Sequence, residues 1–350
     1  MSLDRALTVI LPVRGRLDYT LRWLRWLEAS GLPCRVIVAD GSEAADAAAA
    51  ARAVAAGAAK GLPWAHRIPD QARAGILARV TDAAAAVETP YAALAANDDF
   101  PLAAGLAACA AALDARPDAA ACGGPAMAIA LPADEPVWSK RASARPPAAR
   151  AAFSAGTALS RVEDILDTYD PLWYDVQRTG VMRDAFVRIE RSGLRDLNLS
   201  ELLHAAAVAA AGPVLRASVP HLARQEDAAS SASAEIAGRG DLLSEILSDG
   251  WGAQFEAFIA AAADAAGDPQ ARPRVRAAYA RYARAALART PGFGGGLPLR
   301  RRVAAAVKSA LGERAVSALR RARPAPSFPV PDELAPVLAF LASGPSGGGR

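Results

Sequence analysis

The chain has 350 residues, with 40 Lys and Arg against 36 Asp and Glu; a net charge of +4 is too mild to imply a nucleic-acid binder, which usually shows a concentrated basic patch interleaved with aromatics or a recognisable binding motif. Hydrophobic residues make up 53%, but alanine carries much of this figure, and alanine favours helix while burying little. Cys34, Cys109 and Cys122 form an odd, unclustered set that fits a reducing compartment and no structural zinc.

The first apolar run, in MSLDRALTVILPVRGR, is too short to span a membrane and has no signal-cleavage pattern. No later stretch reaches membrane length without a charge, Gly or Pro, so a soluble, cytoplasmic protein is expected. LTVILP (7–12) and CRVIVAD (34–40) are continuous β-rich runs, the pattern of strands covered on both faces. Between them Leu17, Leu21, Leu24 and Leu27 recur at helical spacing, and Gly31 closes the helix. An Ala-rich helix, a short strand at 64–68, a helix over 72–87 and a strand at 91–96 follow. The next helix carries Pro101 in its first turn and stops before Pro117.

Alternating β and α over roughly the first 125 residues predicts an open, doubly wound, mostly parallel α/β sheet. In such sheets ligands sit beyond the carboxyl ends of the strands, at a switch in strand order. Arg16, Asp40 and the pair Asp98 and Asp99 all fall just past strand ends and are expected to converge on one cleft.

Residues 132–150 are rich in Pro and charge without periodicity, the pattern of a loop or mobile flap. LWYDVQRT reads as a strand, 182–191 and 199–211 as helices, and PVLRASVPHLARQED as extended chain. From about residue 236 the pattern is helical and Ala-rich, broken by TPGFGGGLP, and SGPSGGGR is a flexible tail. These features divide the chain into a domain over 1–230, with a first part at 1–125 and a second at 126–230, a helical region over 231–342 and a tail at 343–350.

The segment YAALAANDDF sets two carboxylates side by side, and at an effective dielectric of about 20 two charges about 5 Å apart repel by roughly 3 kcal/mol. Two readings reward the placement. An Asp ahead of a helix can accept from its orphan amides, or both carboxylates can serve one divalent cation that also holds phosphate oxygens. Asp40, in VADGSE, is either a turn residue before glycine or a strand-end acceptor for a nucleoside. LPVRGR is not the GxGxxG fingerprint, and no Walker sequence occurs.

LTVILPVRGR, VIVADGSE and YAALAANDDF, in that order and spacing, resemble the GT-A nucleotide-sugar domain of family-2 glycosyltransferases, most closely over residues 7–125. WYDVQRT and VPHLARQE resemble later segments of a bacterial subgroup. The resemblance implies a GT-A-type α/β fold with an Ala-rich helical C-terminal extension, and transfer of a sugar from a nucleotide-diphosphate donor to an acceptor hydroxyl with inversion. It implies donor contacts from Arg16, Asp40, Asn97, Asp98, Arg178 and Arg224, and a Mn²⁺ or Mg²⁺ ion on Asp99 with Asp98. Gly15, Ala39 and Asn97 depart from the family pattern, and the neutral Asn97 in place of an acid weakens metal affinity.

Inversion needs a base on the acceptor side. Glu201, opening the first helix after the sheet region, is the candidate, although Asn198 and Glu201 also fit a capping box. Asp175 is the reserve base, or a solvated strand-face charge. His221 is either a third metal contact or a polar loop residue. Trp23 and Trp26 read as packing residues. The basic stretch 299–323 suits either an amphipathic helix in weak peripheral contact with an anionic membrane or a solvated helix packed on the domain. Two rivals to the enzyme remain: a catalytically impaired nucleotide-sugar-binding partner in polysaccharide assembly, and a nucleotidyltransferase, which would carry a Gly-rich first loop that LPVRGR does not supply.

Overall fold

The computed structural model describes residues 2–69, 75–148, 150–226, 246–289 and 330–345. The basic stretch 299–323 and the glycine-rich break before it lie outside these residues, as does most of the tail.

After a single helical turn, α1 (Leu3–Ala6), the chain enters β1 (Leu7–Val13), whose side chains are nearly all buried. β2 (Arg35–Asp40) and β4 (Tyr91–Leu94) flank it in parallel, with Thr8 opposite Arg35 and Leu7 opposite Tyr91. β3 (Trp64–Arg67) extends that edge beside β2. Beyond β4 come β9 (Val176–Arg178), β6 (Ala121–Gly123) and β10 (Val214–Arg216), giving the order β10-β6-β9-β4-β1-β2-β3. β9 alone runs antiparallel to its neighbours. The chain leaves β1 toward β2 on one side and returns to β4 on the other, so a crevice opens at the carboxyl ends of β1 and β4.

A second sheet of order β5-β11-β7-β8 stands beside the first, formed by β5 (Phe100–Pro101), β11 (Leu222–Glu226), β7 (Ala126–Ala130) and β8 (Ser143–Ala148). Its presence corrects the expectation of a mobile flap over 132–150. Part of that segment is β8, paired with β7. The rest is tied by backbone carbonyls: Pro136 accepts from Tyr19 Oη (3.1 Å) and Gln225 Nε2 (2.8 Å), and Val137 accepts from Arg22 (2.7 Å).

Helices cover both faces of the large sheet. α2 (Leu17–Ser30), α3 (Ala44–Ala59) and α5 (Ala103–Ala115) pack on one side, together with α11 (Ala335–Ser343). α4 (Ile76–Ala85), α6 (Ala158–Thr168), α7 (Thr179–Ser192), α8 (Leu197–Ala211), α9 (Trp251–Ala265) and α10 (Arg272–Arg289) build the other. α6 was not assigned from sequence, although Val162, Ile165 and Leu166 keep helical spacing and Thr157 caps it by accepting from the Ser160 amide at 3.1 Å. α11 brings Phe340 within 5.4 Å of Trp26 and 5.1 Å of Trp138, ring centroid to centroid. The helices from Trp251 onward therefore share the cores of the α/β body. Among the described residues no helix is long and apolar enough to cross a membrane.

Candidate active site

A cavity of about 520 Å³ occupies the crevice beyond β1 and β4. Its floor is the segment 94–99, and four arginines reach it: Arg14, Arg16, Arg79 and Arg224. Ile76, Leu77, Val80, Trp173 and Phe186 make an apolar side, and Tyr174, Glu201 and Gln225 complete the wall.

The turn from β1 into α2 sets the first two arginines. Gly15 (φ 65°) and Arg16 (φ 54°) are both left-handed, a conformation uncommon for a residue with a Cβ and typical of sites under functional constraint. Arg16 lies over the Tyr19 ring at 4.1 Å and donates to Asp98 Oδ2 at 3.1 Å. The turn is braced from β2: the Gly15 amide donates to Ser42 Oγ (2.9 Å), and the Ser42 amide donates to Asp40 Oδ1 (2.7 Å).

Arg22 holds the acidic turn from below. Its side chain is 1% exposed, sandwiched against Phe100 (4.7 Å) and Tyr19 (4.9 Å), and it donates to the Asp98 carbonyl (3.0 Å) and to Gln225 Oε1 (2.9 Å). Burial lowers its pKa to about 10, so it stays charged near neutrality. Asp99 accepts from the Gln225 amide through Oδ1 at 3.0 Å and faces Arg224 Nε through Oδ2 at 3.7 Å. Burial, and then the charge of Asp98, push the Asp99 pKa up to about 7, which marks a local shortage of positive charge. Arg224 stands over the Tyr174 ring at 5.5 Å, and Asp99 and Glu201 both act on it electrostatically, raising its pKa against burial.

Asp98 and Asp99 are the groups that could hold a divalent cation. Among the described residues no cluster of three or more His, Cys, Asp or Glu side chains converges to enclose one, and the Asn97 amide nitrogen donates to Thr20 Oγ1 at 3.1 Å. Two adjacent carboxylates on a cavity wall fit a hard ion whose other ligands are phosphate oxygens and water, as Mg²⁺ is commonly held. They do not fit an ion caged by protein alone.

No family model and no curated protein sequence matches the chain. Among solved structures it superposes on S. aureus TarS 1–349 in complex with UDP-GlcNAc with a TM-score of 0.53, at 13% identity over 85% of this chain and 77% of that one. The chain has a GT-A-type fold. TarS 1–349 in complex with UDP gives a TM-score of 0.48 at 13% identity, over 84% of this chain and 98% of that one. The mannosyltransferase PcManGT from Pyrobaculum calidifontis, in complex with GDP-Man and Mn²⁺, gives 0.42 at 16% identity over 96% and 84%.

On this GT-A scaffold the residues picked out from sequence separate into two groups. Arg16, Asn97, Asp98, Asp99, Glu201 and Arg224 all line the one cavity. Glu201 lies in the first turns of α8, and the cap of that helix is Asp196, whose carboxylate accepts from the Leu199 amide at 2.8 Å; the capping-box reading of Asn198 and Glu201 is thereby replaced.

Asp40, Asp175 and Arg178 are not brought to the cavity. The Asp40 side chain is fully buried, accepting from the Ser42 amide and meeting His66 Nε2 at 2.9 Å, so it shapes the neighbouring turn instead of facing a ligand. Asp175 is 0% exposed and clasped by Arg150 and Arg216, which hold its carboxyl below the usual range despite burial. That placement leaves no access for a substrate proton. Arg178 donates to the carbonyls of Ala119 (2.8 Å), Leu113 (2.8 Å) and Arg116 (3.0 Å), satisfying the carboxyl end of α5. His221 is a loop residue just ahead of β11, but a buried one; it is 1% exposed, and its Nδ1 accepts from the Gly124 amide at 3.1 Å. Trp23 and Trp26 are packed in the core as expected.

Arg14, Arg22, Arg79, Trp173 and Tyr174 were not singled out from sequence. Arg22 had a readable signal. Tyr19, Trp23, Trp26 and Leu27 are the buried stripe of α2, and an arginine inside that stripe at position 22 must find partners in the interior. Arg79 similarly shares the buried face of α4 with Val80 and Ala83.

Proposed function

We propose that the chain transfers a sugar from a nucleoside-diphosphate donor to an acceptor hydroxyl. The observation that carries this reading is the convergence of Arg14, Arg16, Arg79 and Arg224 with Asp98, Asp99 and Glu201 on one cavity at the carboxyl ends of β1 and β4. Planar guanidiniums suit a diphosphate, and four of them reach this one cavity.

In this reading the diphosphate lies between Arg16 and Arg224, with Arg224 placed to stabilise the charge that develops on the leaving group as the glycosidic bond breaks. A divalent ion on Asp98 and Asp99 would supply further charge neutralisation to that leaving group. Arg22, by holding the Asp98 carbonyl, keeps both carboxylates aimed at the cavity. Glu201, which lines the same cavity, takes the proton from the acceptor hydroxyl as it attacks, which corresponds to inversion at the anomeric carbon. Asp40 acts at one remove, fixing Ser42 and through it the Gly15–Arg16 turn.

The test is a thermal-shift plate of UDP, GDP, dTDP and CDP with and without Mn²⁺, followed by release of the free nucleoside diphosphate from the matching nucleotide sugars. One nucleotide is expected to raise the melting temperature, more so with Mn²⁺, and its sugar conjugate to be turned over slowly even by transfer to water. Stabilisation without any turnover over a panel of acceptors would favour a binding protein, and no stabilisation by any nucleotide would end the donor assignment.

A further inference from the structure

Behind the wall made by Pro171, Tyr174 and Arg224 lies a second cavity of about 350 Å³, within the range of about 300–1,000 Å³ typical of small-molecule sites. We propose that this second cavity binds a neutral saccharide, the part of the acceptor adjoining the hydroxyl that reacts in the first cavity. The inference rests on the transferase reading above.

The charges around the second cavity are already balanced. Arg150 donates to Asp170 Oδ1 (2.9 Å) and Asp175 Oδ1 (2.5 Å), while Arg216 donates to Asp170 Oδ2 (2.7 Å) and Asp175 Oδ2 (2.8 Å). Two guanidiniums and two carboxylates thus close on one another, and an anionic ligand finds no surplus cation in this lattice. Arg224 belongs to the first cavity as well, where it faces Asp99.

What remains toward the second cavity is neutral hydrogen bonding and aromatic surface. His221 lines it. Because its Nδ1 accepts from the Gly124 amide, the ring proton is assigned to Nε2. That buried Nε2 has no hydrogen-bond partner among the described residues, where Asp175 Oδ1 lies 3.7 Å from it. Burial pushes the His221 pKa down, so the ring is a neutral donor. A hydroxyl group satisfies such a donor without bringing an uncompensated charge into the interior. Tyr169 and Tyr174 add ring surface for the C–H faces of a sugar, and Tyr169 is held in place by a left-handed backbone (φ 43°) and by the Tyr282 ring at 5.4 Å.

The test applies the full chain to a printed array of neutral oligosaccharides and of uronate- or phosphate-bearing ones, with nucleotide stabilisation measured in parallel. Ala151→Trp fills the cavity from its exposed rim and removes no member of the charge lattice. His221→Asn keeps an acceptor for the Gly124 amide and deletes the Nε2 donor. Neutral glycans are expected to bind, and both variants to weaken that binding at least about tenfold with nucleotide stabilisation unchanged. Binding confined to the anionic glycans, full binding by Ala151→Trp, or no glycan held by a chain that does bind nucleotide would each overturn the inference. Glycan binding lost in Ala151→Trp, in a chain that no nucleotide stabilises, would instead sink the donor assignment and leave the second cavity standing.

Discussion

Asp99 gives one oxygen to the Gln225 amide and turns the other toward Arg224, and its pKa is raised first by burial and then by the charge of Asp98. Asp99→Asn keeps the size and an acceptor for that amide while removing the charge. It is expected to leave the fold intact and to cost at least about tenfold in nucleotide affinity in the presence of Mn²⁺, with little loss in its absence. Equal affinities of the two proteins with Mn²⁺, measured by calorimetry, would remove Asp99 from the cation's ligands. Glu201→Gln is expected to reduce the rate of transfer to an acceptor by roughly 10²- to 10⁴-fold while nucleotide stabilisation stays the same. A rate within a factor of two of the parent would move the base elsewhere. At this scale sequence revealed the residues that follow strands directly, Arg16, Asp98 and Asp99, because a strand end fixes where the next side chains go. It did not reveal Arg79 or Tyr174, whose places depend on how α4 and the loop before β9 settle on the sheet.

Arg178 illustrates how an element can claim a residue that looked available for chemistry. It closes β9, and its guanidinium reaches the turn after α5, where it donates to the carbonyls of Leu113, Arg116 and Ala119, the first two of which also accept from backbone amides. Arg178→Met is expected to lower stability by about 2–3 kcal/mol in urea unfolding and to leave nucleotide stabilisation unchanged. A fall in nucleotide affinity out of proportion to the stability loss would return it to the site. The parallel strands and their helices were legible because each carries its own period. β6, β8 and β9 were not legible at their true bounds. They are short, and their pairing is decided by partners distant in sequence, such as Cys122 opposite Val176 and Ala128 opposite Arg145. The supposed flap failed for the same reason, since its anchors are side chains of α2 and β11 that no local pattern exposes.

On the scale of the whole molecule the buried histidine of α8 sets a limit in acid. His204 is 0% exposed, neither ring nitrogen has a hydrogen-bond partner among the described residues, and burial lowers its pKa to about 3. Its folded pKa lies below the unfolded value of 6.5, so the unfolded chain binds the extra proton first and stability falls as pH drops from 6.5 toward 3. The slope contributed is at most about 1.4 kcal/mol per pH unit. His204→Leu is expected to match the parent at pH 7 and to lose less stability by pH 4.5; parallel decline of the two melting temperatures would rule the residue out as the cause. The mostly parallel α/β sheet expected from alternating strands and helices was readable at this scale, while the return of α11 onto α2 was not.

That return has a consequence in time. Trp26 and Phe100 meet edge to face with centroids 5.7 Å apart, and Phe340 covers both. Phe340→Ala is expected to cost about 2 kcal/mol or more in urea unfolding. While the polypeptide is being made, at about 5–20 residues per second, those two rings wait on the order of ten to fifty seconds for their cover to leave the ribosome. During that interval the nascent α/β body exposes an oily patch that a chaperone or a neighbouring nascent chain can find first.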